Sequence, residues 1–324
     1  MASYRRASRS KKFVAKGACA ALVAALGIAT ILTSCSHGSP APTSCSSCAL
    51  SQFGHVVIVV GENADYSSTY SASNMPYLTS LANTYGLATN YSADTHPSIG
   101  NYEVLTAGQI FTNDDGATPS SLGLSSTQDN IAHEVEVAGK TWKDYQESTN
   151  GCGAVNSGSY IVRHDPLAYF TDINGESANF VCMSQFQTDI TNKTLPNLSW
   201  LSPNGCDDAH DCGLGTFDGW LQTEMTPLLA SSYFQPGGDG LLIVTVDEDS
   251  GGGSCGFSTG TGCGGQVETV VVSPHSLPAL QSSHSYEHEN TLRTIAQGLG
   301  LSYSGLGAAA TAAPMSDFFT TTSK

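Results

Sequence analysis

Positive charge is what this chain of 324 residues has least of: 12 Lys and Arg stand against 28 Asp and Glu. Six of those bases (Arg5, Arg6, Arg9, Lys11, Lys12 and Lys16) precede residue 17, and no acid precedes Cys35. Residues 35–324 therefore hold six bases against 28 acids, a formal charge of −22. Neutralising a phosphate backbone takes clustered Lys and Arg, so a nucleic-acid binder is excluded. Electrostatic docking on an anionic bilayer is excluded on the same ground. A second CxxC is also missing, and Cys45-Ser-Ser-Cys48 alone cannot complete a four-thiolate zinc site. No internal repeat is visible. At 40% apolar and 12% charged the chain is globular, and about 270 structured residues fit one large domain.

The N-terminus accounts for the early cations. A basic stretch ends at Lys16, an apolar one runs over 17–33, and small residues close it at Ser34, which is signal-peptide organisation over 1–34. The alternative is a retained single-pass anchor. Leu32-Thr33-Ser34-Cys35 resembles a bacterial lipoprotein box, in which Cys35 is lipidated; cleavage without lipidation is the other outcome. Export to the cell surface or periplasm, or secretion, follows in either case, with membrane contact only through a lipid anchor. Residues 35–52, rich in Ser and Pro, read as a flexible tether, and 53–324 as the single folded domain. Eight further cysteines in an exported chain suggest four disulfides. Local pairing gives Cys45–Cys48, Cys152–Cys182, Cys206–Cys212 and Cys255–Cys263.

Three apolar β-branched runs, 55–60, 241–246 and 268–272, read as strands buried on both faces. Helical spacing covers 75–85, 99–107, 127–138, 216–229 and 289–299. The alternation implies a doubly wound α/β sheet, whose carboxyl strand ends collect function. Run 55–60 leads through Gly61 into Glu62-Asn63, and run 241–246 leads into Asp247-Glu248-Asp249. Either pair alone reads as a helix cap or a solvated loop; together they supply the oxygen ligands a hard divalent cation needs. Ser98 opens a helix after Thr95-His96-Pro97. It is either a cap or a nucleophile held where helix N–H groups favour a phosphate. With no basic partner nearby in sequence, the hydroxyl requires activation by a metal. Asn101, one turn on, can donate to a phosphoryl oxygen.

These residues carry a resemblance. HVVIVVGEN, Met75-Pro76-Tyr77-Leu78-Thr79-Ser80-Leu81-Ala82, Thr95-His96-Pro97-Ser98 with Asn101-Tyr102, Trp142–Ser148, Tyr160–Pro166, Ser202-Pro203-Asn204 with Asp207–Asp211, Trp220-Leu221, LLIVTVDED and His288 before Thr291–Ile295 follow one another in order. Over about residues 54–302 the chain resembles the phosphoesterase family of bacterial and fungal acid phosphatases and phospholipases C, within the alkaline-phosphatase-like superfamily. It is most similar to the short secreted acid phosphatase branch that includes a phosphatidylinositol-3-phosphatase. The resemblance implies an α/β fold with a mostly parallel central sheet and helices on both faces. It implies hydrolysis of phosphate monoesters through a phosphoserine on Ser98, with a divalent metal cation of unspecified identity. Glu62, Asn63, Asp247 and Glu248 fall on the family's metal-ligand positions with Ser98, and Asp207 joins the same cleft. His210 and His288 fall on candidate leaving-group acids, and Arg163, His164 and Asp211 on the substrate side. His96 stands behind them.

Several of these residues have plainer readings: His288 as a helix cap, Arg163 as a balance for local acids, and Asp207–Asp211 as a structural cation loop. Gly61 departs from the family, which often has an acid there, and bears on the metal; Gly100, where Pro is common, is expected to loosen the turn. Two other functions compete. A phospholipase C-type phosphodiesterase is disfavoured because its longer relatives carry a further C-terminal domain. A decayed surface lipoprotein requires the loss of Glu62, Asn63, Ser98 or Asp247, and all four are present. Substrate and oligomeric state do not follow from these residues.

Overall fold

The computed structural model describes residues 50, 52–125, 127–149, 158–173, 178–253 and 255–320. Residues 1–34, Cys35, Cys45, Cys48 and Cys152 lie outside them. The strands are β1 (His55–Gly61), β2 (Gly86–Ala88), β3 (Trp142–Gln146), β4 (Phe180–Cys182), β5 (Leu198–Ser202), β6 (Gly240–Val246), β7 (Thr269–Val272) and β8 (Leu280–Ser282). The helices are α1 (Tyr66–Thr69), α2 (Pro76–Thr84), α3 (Ser98–Ala107), α4 (Pro119–Leu122), α5 (Ile131–Val137), α6 (Ser184–Asn192), α7 (Leu214–Ala230) and α8 (His288–Gly298).

All eight strands form one sheet in the order β4-β3-β5-β1-β6-β7-β2-β8. Every named pairing is parallel except those of β7, which runs antiparallel to β6 and β2. Successive side chains of a strand point to opposite faces, and that period divides β1 between two cores. Val56, Ile58 and Val60 pack with Ile99, Tyr102 and Leu105 of α3 and Leu292, Ile295 and Ala296 of α8. Val57 and Val59 pack with Leu78, Leu81 and Ala82 of α2 and Phe217, Leu221 and Met225 of α7. Burying each such side chain stabilises the fold by about 1.5–3 kcal/mol relative to exposure. A strand covered on both faces cannot alternate with polar residues, hence the unbroken apolar run.

The expected helix over 127–138 is shorter, because Asn130 caps it: its Oδ1 accepts from the His133 N–H at 2.9 Å, leaving 127–129 in a turn. Helix α3 is buried along its whole length, wedged between the sheet and α8. Two of the expected disulfides are present, Cys206–Cys212 after β5 and Cys255–Cys263 after β6. Cys182 is exposed and has no disulfide partner among the described residues. No helix among those residues is long and apolar enough to cross a membrane.

Candidate active site at the carboxyl ends of β1 and β6

Strands β1 and β6 are adjacent and parallel with Gly61 opposite Val246, so the residues that follow each strand emerge side by side. The Asp247 N–H donates to the Gly61 carbonyl at 2.9 Å, extending the ladder into the loop. Asn63 turns the chain with a φ of 50°, a left-handed value that Asn tolerates. Its N–H donates to Asp247 Oδ1 at 2.9 Å and its Nδ2 to Glu62 Oε2 at 2.9 Å. Gly61 is dictated by packing, since a Cβ there would stand 2.4 Å from Cε1 of Phe217.

Ser98 is the first residue of α3 and is preceded by Pro97, which offers no side-chain cap. Its Oγ donates to Glu62 Oε2 at 3.0 Å and lies 3.4 Å from Glu248 Oε1. One turn further on the same helix face, Tyr102 OH donates to Glu62 Oε1 at 2.6 Å. His96 Nδ1 donates to Glu248 Oε2 at 2.7 Å. His164 Nδ1 donates to Asp208 Oδ2 at 2.7 Å, and its Nε2 faces Glu62 Oε1 at 3.2 Å.

Three carboxylates, Glu62, Asp247 and Glu248, are thus buried together with no Lys or Arg within salt-bridge distance among the described residues. Burial pushes Glu248 up to about 9, with Asp247 and Asp115 adding repulsion. Asp247 is raised to about 6 by burial, and Asp208 to about 7. Glu62 is held well above the usual carboxylate range by burial and then by Asp247 and Asp208. Burial, followed by Arg163 and His210, keeps His164 well below its ordinary value and therefore neutral. Asp247 Oδ2 and His164 Nε2 are both buried without a hydrogen bond. Concentrated negative charge with orphaned donor atoms fits a hard divalent cation held by Glu62, Asn63, Asp247 and Glu248 beside Ser98. A separate group, Asp94, Glu287 and Glu289, brings three carboxylate oxygens within 4.8 Å of one another around the start of α8.

The phosphoesterase family model matches residues 64–302. The chain belongs to the phosphoesterase family. It is 29% identical over 273 residues to a phosphatidylinositol-3-phosphatase of Mycobacterium tuberculosis, covering 84% of each chain. It is 27% identical to a probable acid phosphatase of Kluyveromyces lactis, covering 78% of this chain and 60% of that one. Among solved structures it is similar in fold to an alkaline phosphatase superfamily protein of Vibrio parahaemolyticus. That likeness has a TM-score of 0.54 at 14% identity and covers 83% of this chain and 72% of the other.

Within this phosphoesterase, three residues stand elsewhere than expected. Asn101 is fully buried, its Oδ1 accepting from the N–H groups of Asp94 and Thr95 and its Nδ2 donating to the Thr95 carbonyl. With its polar atoms so committed, it shapes the loop before Ser98 rather than meeting a phosphoryl oxygen. His288 is also fully buried; Nε2 donates to the Asp247 carbonyl at 2.7 Å and Nδ1 accepts from Tyr91 OH at 3.0 Å. Burial lowers it to about 4. Such a ring is positioned to support Asp247 from behind, not to protonate a leaving group. Asp207 turns to Asn204, whose Nδ2 donates to it at 2.7 Å, and its neighbour Asp208 faces the site instead.

The rim carries the remaining candidates. Arg163 Nη2 donates to His210 Nε2 at 2.7 Å, and His210 Nδ1 donates to Asp211 Oδ1 at 2.8 Å. Sequence reasoning missed Tyr102, Asp208 and Asp115. Tyr102 was legible as the residue four positions after Ser98, on the same helix face. Asp208 was one step away, beside Asp207 in a five-residue stretch (207–211) that holds three acids. Asp115, which accepts from the Ile99 N–H at 3.1 Å, had no signal in its loop.

Proposed function

We propose that the protein is an exported, metal-dependent phosphomonoester hydrolase of the acid phosphatase type that works through a phosphoserine. The observation that carries this is the Ser98 hydroxyl, fixed at the first turn of a buried helix between two acids from different strands. Glu62, Asn63, Asp247 and Glu248 would hold the cation, which when bound supplies positive charge that favours the Ser98 alkoxide and the arriving phosphate. Ser98 Oγ attacks phosphorus, and its proton leaves toward Glu62 Oε2 or Glu248 Oε1, its present neighbours. Helix N–H groups and Arg163 receive the phosphoryl oxygens. His210 on the rim, released by Arg163 as the guanidinium turns to the phosphate and carrying a proton on Nε2, gives that proton to the departing alcohol, and water then cleaves the phosphoserine. Asn101 and His288 hold the loops that present Ser98 and Asp247.

The mycobacterial relative's name supports phosphatidylinositol 3-phosphate as one substrate to test. The signal-type N-terminus and the two disulfides support export. Replacing Ser98 with Ala is expected to lower p-nitrophenyl phosphate turnover on the order of 10³-fold or more with the melting temperature unchanged. Chelation should give a comparable loss, reversed by adding back divalent metal. Substantial turnover by the Ser98→Ala protein would remove the nucleophile assignment. A panel of monoesters and diesters then separates a phosphatase from a phospholipase C-type activity.

A further inference from the structure

The loop between α3 and α4 carries an acid that none of the chemistry above uses. Asp115 Oδ1 accepts from the N–H of Ile99, the residue after the nucleophile, at 3.1 Å. Its Oδ2 lies 3.6 Å from Arg163 Nε, a buried nitrogen with no hydrogen bond of its own. Its charge also reaches inward, since it contributes to the raised proton affinity of Glu248. One carboxylate therefore takes up a backbone N–H at the helix start and faces the guanidinium, the two groups that a phosphoryl oxygen would seek.

The loop is built to bring it there. Glu103 Oε2 on α3 accepts from the Phe111 and Thr112 N–H groups. Asn113 Nδ2 donates to the carbonyls of Cys255 and Gly256, tying the loop to the disulfide-closed segment after β6. Gly100 lets it lie against the helix: a Cβ there would stand 2.6 Å from Thr95 Cγ2 and 2.8 Å from Asn113 Oδ1. The expectation that Gly100 loosens this turn is thereby replaced by a close approach that needs a residue without a side chain.

We propose that Asp115 is a resident competitor for the phosphoryl pocket, which a phosphate ester must displace from the Ile99 N–H and from Arg163 before Ser98 can attack; this rests on the phosphomonoesterase reading above. The side chain is one-third exposed and meets Arg163 beyond hydrogen-bond distance, so a dianion making two short contacts can expel it. Inorganic phosphate, the product, meets the same competitor, so Asp115 weakens product inhibition by the factor by which it weakens substrate binding.

The test uses the full-length, metal-loaded protein. Asp115→Asn removes the charge and keeps the shape, and Asp115→Ala removes both. In each, the KM for p-nitrophenyl phosphate and the inhibition constant for inorganic phosphate should fall together by roughly three- to tenfold, the effect of one charge-assisted hydrogen bond and a partly exposed ion pair. The kcat should stay within about twofold, the spread expected where the reacting groups are untouched. Asp115→Glu, which keeps the charge, should behave as wild type. Unchanged or raised constants in Asp115→Asn, at a wild-type melting temperature, overturn the proposal; raised constants would mean that Asp115 orients Arg163. Calorimetric binding of inorganic phosphate to wild type and Asp115→Asn decides the point without turnover. A protein that binds phosphate but hydrolyses no monoester would sink the functional reading, whereas a phosphate affinity unchanged by Asp115→Asn would sink this one.

Discussion

At the scale of single residues, three histidines near the site have three different jobs, set by what holds their ring nitrogens. His288 has both nitrogens engaged inside the core and is lowered to about 4, so it is neutral wherever the protein is folded and near neutral pH. His164 is neutral too, held at Nδ1 by Asp208, with Nε2 facing Glu62 and making no hydrogen bond. His210 alone reaches the rim, with Asp211 on one nitrogen and Arg163 on the other. Replacing His210 with Ala should therefore lower kcat about 10²-fold, read from a full pH–rate profile. His288→Ala should instead destabilise the fold by about 2–4 kcal/mol, through a cavity and an unpaired Asp247 carbonyl, and leave the shape of that profile intact. A profile altered by His288→Ala in a folded protein would return that histidine to the chemistry.

At the scale of elements, legibility follows burial. β1 and β6 were plain in the sequence because both of their faces are apolar, and α2, α3, α7 and α8 fall within one or two residues of their expected bounds. β3 and β5 were not, because they bury polar side chains. Ser202 Oγ of β5 donates to Asp144 Oδ1 of β3 at 3.1 Å, and Gln146 of β3 bonds Asp165. No apolar run marks such strands, and the direction of β7 has no local signature at all. The site divides the same way: residues directly after a strand were readable, whereas His288, Asn101 and Asp208 were decided by loops returning from elsewhere. The loop after β5 is closed by Cys206–Cys212 and holds Asp208 against His164. Exchanging both cysteines for Ser should cost about 2 kcal/mol in chemical denaturation, given so short a closed loop. It should also lower kcat/KM, because His164 loses its anchor; equal kcat/KM would show that the loop holds its shape without the bond.

At the scale of the whole molecule, the scarcity of bases means that buried acids away from the site must be neutralised by protons. Glu268, just before β7, is 1% exposed and is raised by burial to about 8 from an ordinary 4.5, against the opposing influence of the Thr69 hydroxyl. Glu103 is raised likewise to about 8, although Phe111 and Thr112 donate to it. A folded state that holds a proton the unfolded chain has released is favoured by acid. The stabilisation is complete below about pH 4.5 and is lost as the pH rises through about 8. Thermal stability should therefore decline from mildly acidic to mildly alkaline pH, the direction also set by self-repulsion among surplus surface acids. Glu268→Gln separates the two causes, since it removes the buried titration and leaves the surface nearly unchanged. At pH 8 it should be more stable than wild type by about 1–2 kcal/mol, and at pH 5 the two should melt together. Parallel stability–pH curves for the two proteins would assign the decline to the surface charge and leave Glu268 protonated throughout.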